Sequence, residues 1–141
     1  MIKRKLVLDW EEETTGKCVL GIVSSTSHLE LIHALNHTGH FNFIREDDME
    51  NGTKAEPTYY IHFSYMDLEN EKRFKLIKNK GLGGLNEKGL KDLDYLLLIQ
   101  SEDDEVFQTT KTILQGHRFV QTLIEVDLSK LTDKTKNLLD L

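Results

Sequence analysis

Residues 59–79 read YYIHFSYMDLENEKRFKLIKN. The first half alternates. Tyr59, Ile61, Phe63 and Tyr65 fall on one side of an extended chain, and Tyr60, His62 and Ser64 on the other. DLENE reads as a turn, and RFKLIKN as the strand that returns beside the first. A hairpin with a period of two is the seed of an antiparallel sheet, and the rest of the chain is read outward from it.

Downstream, NKGLGGLNEKG (79–89) is rich in glycine and lysine and reads as a flexible surface loop. LDYLLLIQ (93–100) is the most apolar run in the chain and predicts a central strand. SEDDEVFQTTKTILQG predicts a helix. Acids crowd its first turn, where the helix dipole favours them. Val106, Phe107, Thr110, Ile113 and Leu114 form one stripe, and Gly116 marks the stop. VQTLIEVDL (120–128) reads as a last strand. The tail from Ser129 to Leu141 reads as a short helix or a loose end.

Upstream, EDDMENGTKAEP (46–57) reads as a polar loop, with Asn-Gly and the single proline of the chain. FNFIRE (41–46) alternates, with Phe41, Phe43 and Arg45 on one face and Ile44 on the other. A helix is predicted over His28–His37. Ser27 and Glu30 make a capping-box pattern before it, and Gly39 stands where a left-handed stop belongs. Leu31, Ile32, Ala34 and Leu35 lie on one side of this helix, and Glu30, His33 and His37 on the opposite side. CVLGIVSS (18–25) is a buried-strand pattern. Glu11–Gly16 is a polar loop, and Lys5–Asp9 a short strand.

The predicted order is β-β-α-β-β-β-β-α-β, a βαββαβ plan with an extra hairpin strand. Each helix carries one apolar stripe, so both can cover the same face of a sheet. The expected architecture is an α+β two-layer sandwich, ferredoxin-like or close to it. It has a mainly antiparallel sheet and two helices on one face. At 141 residues the chain is read as a single domain, 1–141, long enough to fold without a metal or a disulfide.

Charge and composition narrow the function. The formal charge is −6 and the pI about 5.5, which argues against nucleic acid, whose phosphates demand a clustered positive surface. The run Lys3–Lys5 and the lysines near 79–89 are too short and too diluted by acids to change that. No apolar stretch reaches the length needed to span a bilayer, so no membrane association is expected. The single cysteine, Cys18, allows no intramolecular disulfide, and the opening MIKRKLVLDWEEE has no apolar signal core. A cytoplasmic chain is the expectation. Cys18 leads into a buried strand and reads as a small apolar core residue rather than a nucleophile.

The residues also carry a resemblance. LVLDWEEETTGKCVLGIVSSTSHLELIHALNHTGHFNFIREDDME resembles the opening of the bacterial IPExxxVDY family, through Gly21–Ser25, Leu35–Asn36 and Arg45–Asp48. The hairpin, LKDLDYLLLI and the closing LIEVDLSKL are similar as well. Leu93-Asp94-Tyr95 stands where VDY is expected. IPE is absent, GLNEKG occupies its place, and Glu87 is out of step with the spacing. The resemblance covers nearly the whole chain loosely. It implies a class of protein and no chemistry.

Candidate sites follow from residue type. His28, His33, His37 and His40 are four of the six histidines. Glu30, His33 and His37 form E-x-x-H-x-x-x-H on one helical face, an acceptable donor set for zinc. Ala34 holds the position that a catalytic glutamate would need, and no fourth ligand is evident. A solvated face with a Glu–His pair is the favoured reading, and no cofactor is expected. Arg45, Asp47 and Asp48 could bind an anion at a strand end or simply pair on the surface. Asn36 joins them through the resemblance. Asp94 and Tyr95 open the central strand, where a structural role in a turn is favoured over a buried titrating carboxylate. KGLGGLNEKG fails both the P-loop and the dinucleotide-binding patterns. No Ser/His/Asp or Cys/His signature is recognisable.

The reading that follows is a non-enzymatic binding or regulatory module. Its expected partner is a second copy (a homodimer) or another protein, met through Tyr60 and His62 on the second sheet face. The alternative is a small enzyme using acids and histidines near Asn36, Arg45 and Asp48.

Overall fold

A computed structural model describes residues 16–52, 57–79 and 89–141. The strand expected at Lys5–Asp9 and nearly all of the Gly/Lys-rich loop lie outside the described residues. The described chain is α+β, and its strands form one six-stranded antiparallel sheet and a separate two-stranded ribbon.

The hairpin that opened the sequence reading is β5 (His62–Asp67) and β6 (Lys72–Lys78), paired from His62 with Ile77 to Asp67 with Lys72. The turn is built by Asp67, whose carboxylate accepts from the backbone N–H and the side-chain amide of Asn70. Glu71 completes it in the left-handed region, at φ 51°. β7 (Tyr95–Ser101) lies beside β6, β1 (Lys17–Val23) beside β7, and β8 (Thr122–Glu125) beside β1. β2 (Ile44–Arg45) closes the other edge against β5. The order is therefore β2-β5-β6-β7-β1-β8. Within it, β8-β1-β7-β6 are the fourth, first, third and second strands of an antiparallel βαββαβ plan, and β5 and β2 extend the sheet beyond them.

α1 (His28–His37) begins as its sequence predicts. Ser27 accepts from the Glu30 N–H at 3.2 Å, and Gly39 stops the helix at φ 85°. α2 (Asp104–Gln115) is capped by Asp103, which accepts from the Glu105 N–H at 2.9 Å. Both helices bury their stripes on the same sheet face. Leu31, Ile32, Leu35 and Leu114 pack there with Leu20, Ile22, Leu97, Ile99 and Phe74. Phe63 and Tyr65 of the alternating stretch also face the helices.

Three local expectations change. The loop expected at 46–57 contains strand: β3 (Met49–Gly52) pairs with β4 (Pro57–Tyr60) as the separate ribbon. The proline is tolerated because it begins a strand in a two-stranded ribbon. The single strand expected across Tyr59–Met66 divides at Ile61, so that Tyr60 belongs to the ribbon and His62 to the main sheet. FNFIRE narrows to a two-residue strand because Phe41 and Phe43 are drawn into the helix-side core.

The second face of the sheet is partly covered by the chain itself. A 3-10 turn (Leu128–Lys130) and α3 (Asp133–Leu138) carry the tail across it. Leu131 and Leu139 are buried there against Val19, Leu96, Ile77 and the residues Leu90 and Leu93 ahead of β7. Tyr60 and His62 do lie on this side, as their alternation predicts, and both are buried within the chain.

Candidate functional site

Three of the residues singled out from sequence, Asn36, Asp94 and Tyr95, make structural hydrogen bonds. The Asn36 side-chain amide donates to the Phe43 carbonyl at 3.0 Å and accepts from the Phe43 N–H at 2.7 Å. It pins the end of α1 to the segment that enters β2. Asp94 accepts from the Ser24 N–H at 2.8 Å, and the Tyr95 hydroxyl donates to the Thr26 carbonyl at 2.6 Å. Together they hold the turn between β1 and α1. Burial, with Asp94 adding, pushes the Tyr95 hydroxyl up to about 12, so it remains a donor throughout the neutral range.

Arg45 pairs with Asp48 at 2.8 Å, with the two side chains 46% and 39% exposed, so the pair is solvated. The Arg45 guanidinium also lies 5.6 Å from the centre of the Phe63 ring. Asp47 is exposed. On the far side of α1, Glu30, His33 and His37 are exposed, and the two imidazoles stack at 6.3 Å. His117, after α2, borders the same surface hollow. Among the described residues no group of three or more His, Cys, Asp or Glu side chains is placed to hold a metal. These residues are not gathered around one point. Asp94 and Tyr95 serve the central strand, whereas Arg45 and Asp48 lie at the β2 edge.

Cys18 is buried among apolar residues, with its thiol 3.9 Å from a Glu125 carboxylate oxygen. Burial first, and Glu125 second, push the thiol up to about 11. It is unsuited to act as a nucleophile at neutral pH.

The feature absent from the sequence reading lies on the second sheet face, beside the region covered by the tail. A hollow of about 210 Å³ opens over β1, β5, β6 and β7, flanked by Leu139, Asp140 and Leu141. The strand register explains its lining. Arg73 opposes Gln100, and Gln100 opposes Lys17, so these three form one row across the sheet. The next row on the same face is Ser64, Lys75 and Leu98. Met66 faces Arg73. Three cationic side chains thus line a half-open hollow. Among the described residues none of the three has a carboxylate within 4.0 Å. Asp140 carries the one acidic side chain in the lining, held by the turn that ends α3.

Beside this row stands His62, 8% exposed, on the same face as Ser64. Its Nδ1 is buried without a partner among the described residues. Burial holds the imidazole below its ordinary range, and Lys75 adds to the effect. Glu46 and Asp48 oppose it, and Arg45 lowers it further.

In RFKLIK the alternation already puts Arg73 and Lys75 on the face opposite Phe74 and Leu76. That was a readable signal. The position of Lys17, two strands away and 56 residues earlier, depends on register alone. The chain matches no family model, and no curated protein matches it.

Proposed function

We propose that this chain is a non-enzymatic binding module that takes an anionic ligand on the open half of its second sheet face. One observation carries the reading: Lys17, Arg73 and Lys75 converge on a single hollow without carboxylate partners among the described residues. In a chain of formal charge −6, three cations in one lining with a single acidic side chain, Asp140, are complementary to an anion. Arginine adds a planar fork suited to a carboxylate or phosphate. The loose resemblance to the IPExxxVDY family supports a class of protein and adds no chemistry. The residues named for the rival, enzymatic reading make contacts within the chain: Asn36 fastens Phe43, and Arg45 pairs with Asp48.

Thermal shift of the full chain at constant ionic strength tests this, with sodium acetate, octanoate and inorganic phosphate compared with the Arg73→Ala/Lys75→Ala variant. A ligand at a hundred times its Kd adds about 2.7 kcal/mol, a shift of several degrees. The expected result is a stabilising anion whose effect disappears in the double variant. The proposal fails when no anion distinguishes the two proteins.

A further inference from the structure

We infer that the ligand of this hollow is an amphiphilic monoanion, a carboxylate head carrying a short apolar body, with its head seated over Gln100. The inference rests on the anion-binding reading and names its ligand class.

The head position follows from the register. Lys17 and Arg73 flank Gln100 across β1, β7 and β6, about 9.5 Å apart along the hydrogen-bonding direction at ordinary strand spacing. Both side chains are long enough to lean over the residue between them, whose amide adds N–H donors. Lys75 lies two residues from Arg73 on the same strand face, about 7 Å away. One acid group above Gln100 is therefore within reach of three cations.

The apolar body follows from the rest of the lining. Leu98 is half-buried in the floor, Met66 is exposed at the rim, and Leu139 and Leu141 flank the hollow. Apolar side chains thus lie directly beside the cations, Met66 in the row of Arg73 and Leu98 in the row of Lys75, so the lining is itself amphiphilic. The hollow, about 210 Å³ and half open, has room for a short apolar body beside the head. Asp140 limits the charge, because a second negative group on the ligand meets a carboxylate in the same lining.

Isothermal titration of the full chain at fixed ionic strength tests the inference, with acetate, hexanoate, octanoate, inorganic phosphate and octan-1-ol as probes. Octanoate is expected to bind at least tenfold more tightly than acetate, phosphate or octan-1-ol. Arg73→Ala/Lys75→Ala is expected to lose at least tenfold for octanoate. Asp140→Asn, which removes a charge and keeps a residue that tolerates left-handed backbone, is expected to gain severalfold. If acetate and phosphate bind as tightly as octanoate and the double variant loses all three, the hollow is a general anion site. The amphiphile inference then falls and the anion-binding reading stands. If octan-1-ol matches octanoate and the double variant retains both, or if no anion binds, both fall together.

Discussion

Single residues in this protein are constrained most where the backbone leaves no alternative. Glu71 adopts a left-handed conformation at the end of the β5–β6 turn, which costs a side-chain-bearing residue about 1 kcal/mol relative to glycine. Glu71→Gly is expected to raise the urea midpoint, corresponding to about 0.5–1 kcal/mol, because the turn geometry is retained and the steric conflict removed. An unchanged or lowered midpoint would show that the Glu71 side chain contributes more than the strain costs. Gly21 is the opposite case. It sits in the middle of β1, where a Cβ would meet both methyls of Leu93. Gly21→Val is expected to destabilise by about 1–3 kcal/mol through overpacking, read as a lowered urea midpoint with the slope unchanged. A neutral result would mean that Leu93 has room to move. Gly21 belongs to a segment quoted for the family resemblance, but a packing reason for glycine there requires Leu93 to be placed opposite it.

At the scale of elements, the informative piece is the tail. From sequence it reads as a short helix or a loose end, since six helical residues are far too few to be stable alone. The structure holds it by packing: Leu131 and Leu139 are buried, Leu139 to 1% exposure, on the second sheet face. Leu139→Ala is expected to cost about 2–4 kcal/mol, an amount typical of a core leucine, measured by equilibrium unfolding. A cost near zero would show that the tail is only loosely held. The helices α1 and α2 were legible for the converse reason. Their caps at Ser27 and Asp103 and their apolar stripes are local patterns, and local patterns survive in a one-dimensional reading. β3 escaped because it is short, polar and paired only with β4, whose Tyr59 and Tyr60 read as the start of the following strand. Nothing in EDDMENGTKAEP carries the apolar alternation by which strands are recognised.

Across the whole molecule, two histidines couple stability to pH. His28 opens α1 with its ring 6.0 Å from Phe63, and its Nδ1 is buried without a partner among the described residues. Burial holds it below its ordinary range, and the Lys78 and Arg45 charges lower it further. His62 is lowered as well, by burial and then Lys75. In the unfolded chain both titrate near 6.5. Between that value and the lower folded ones, the unfolded state binds more protons. Stability is therefore complete above about pH 6.5 and declines as the pH falls toward the folded values. Melting temperature measured from pH 8 to pH 5 is expected to fall below about pH 6.5, and to fall less steeply in His28→Gln and in His62→Gln. A flat profile in the unsubstituted protein would contradict the lowered titration of both imidazoles.

The sequence by itself determined the α+β class, the antiparallel hairpin, the central strand and the two helices with their common face. Periodicity, caps and glycine stops are written in neighbouring residues, and the period of two fixes which side chains share a face. It also determined that Cys18 belongs to a core strand. Tertiary structure decided what meets what. Register alone brings Lys17 beside Gln100 and across from Arg73 and Lys75, because cross-strand distance is independent of distance along the chain. Packing brought Asn36, Asp94 and Tyr95 beside the backbone groups they bond, which are distant in sequence or in another element. The tail found its place for the same kind of reason: its leucines are stabilised only by a sheet face that no local pattern describes.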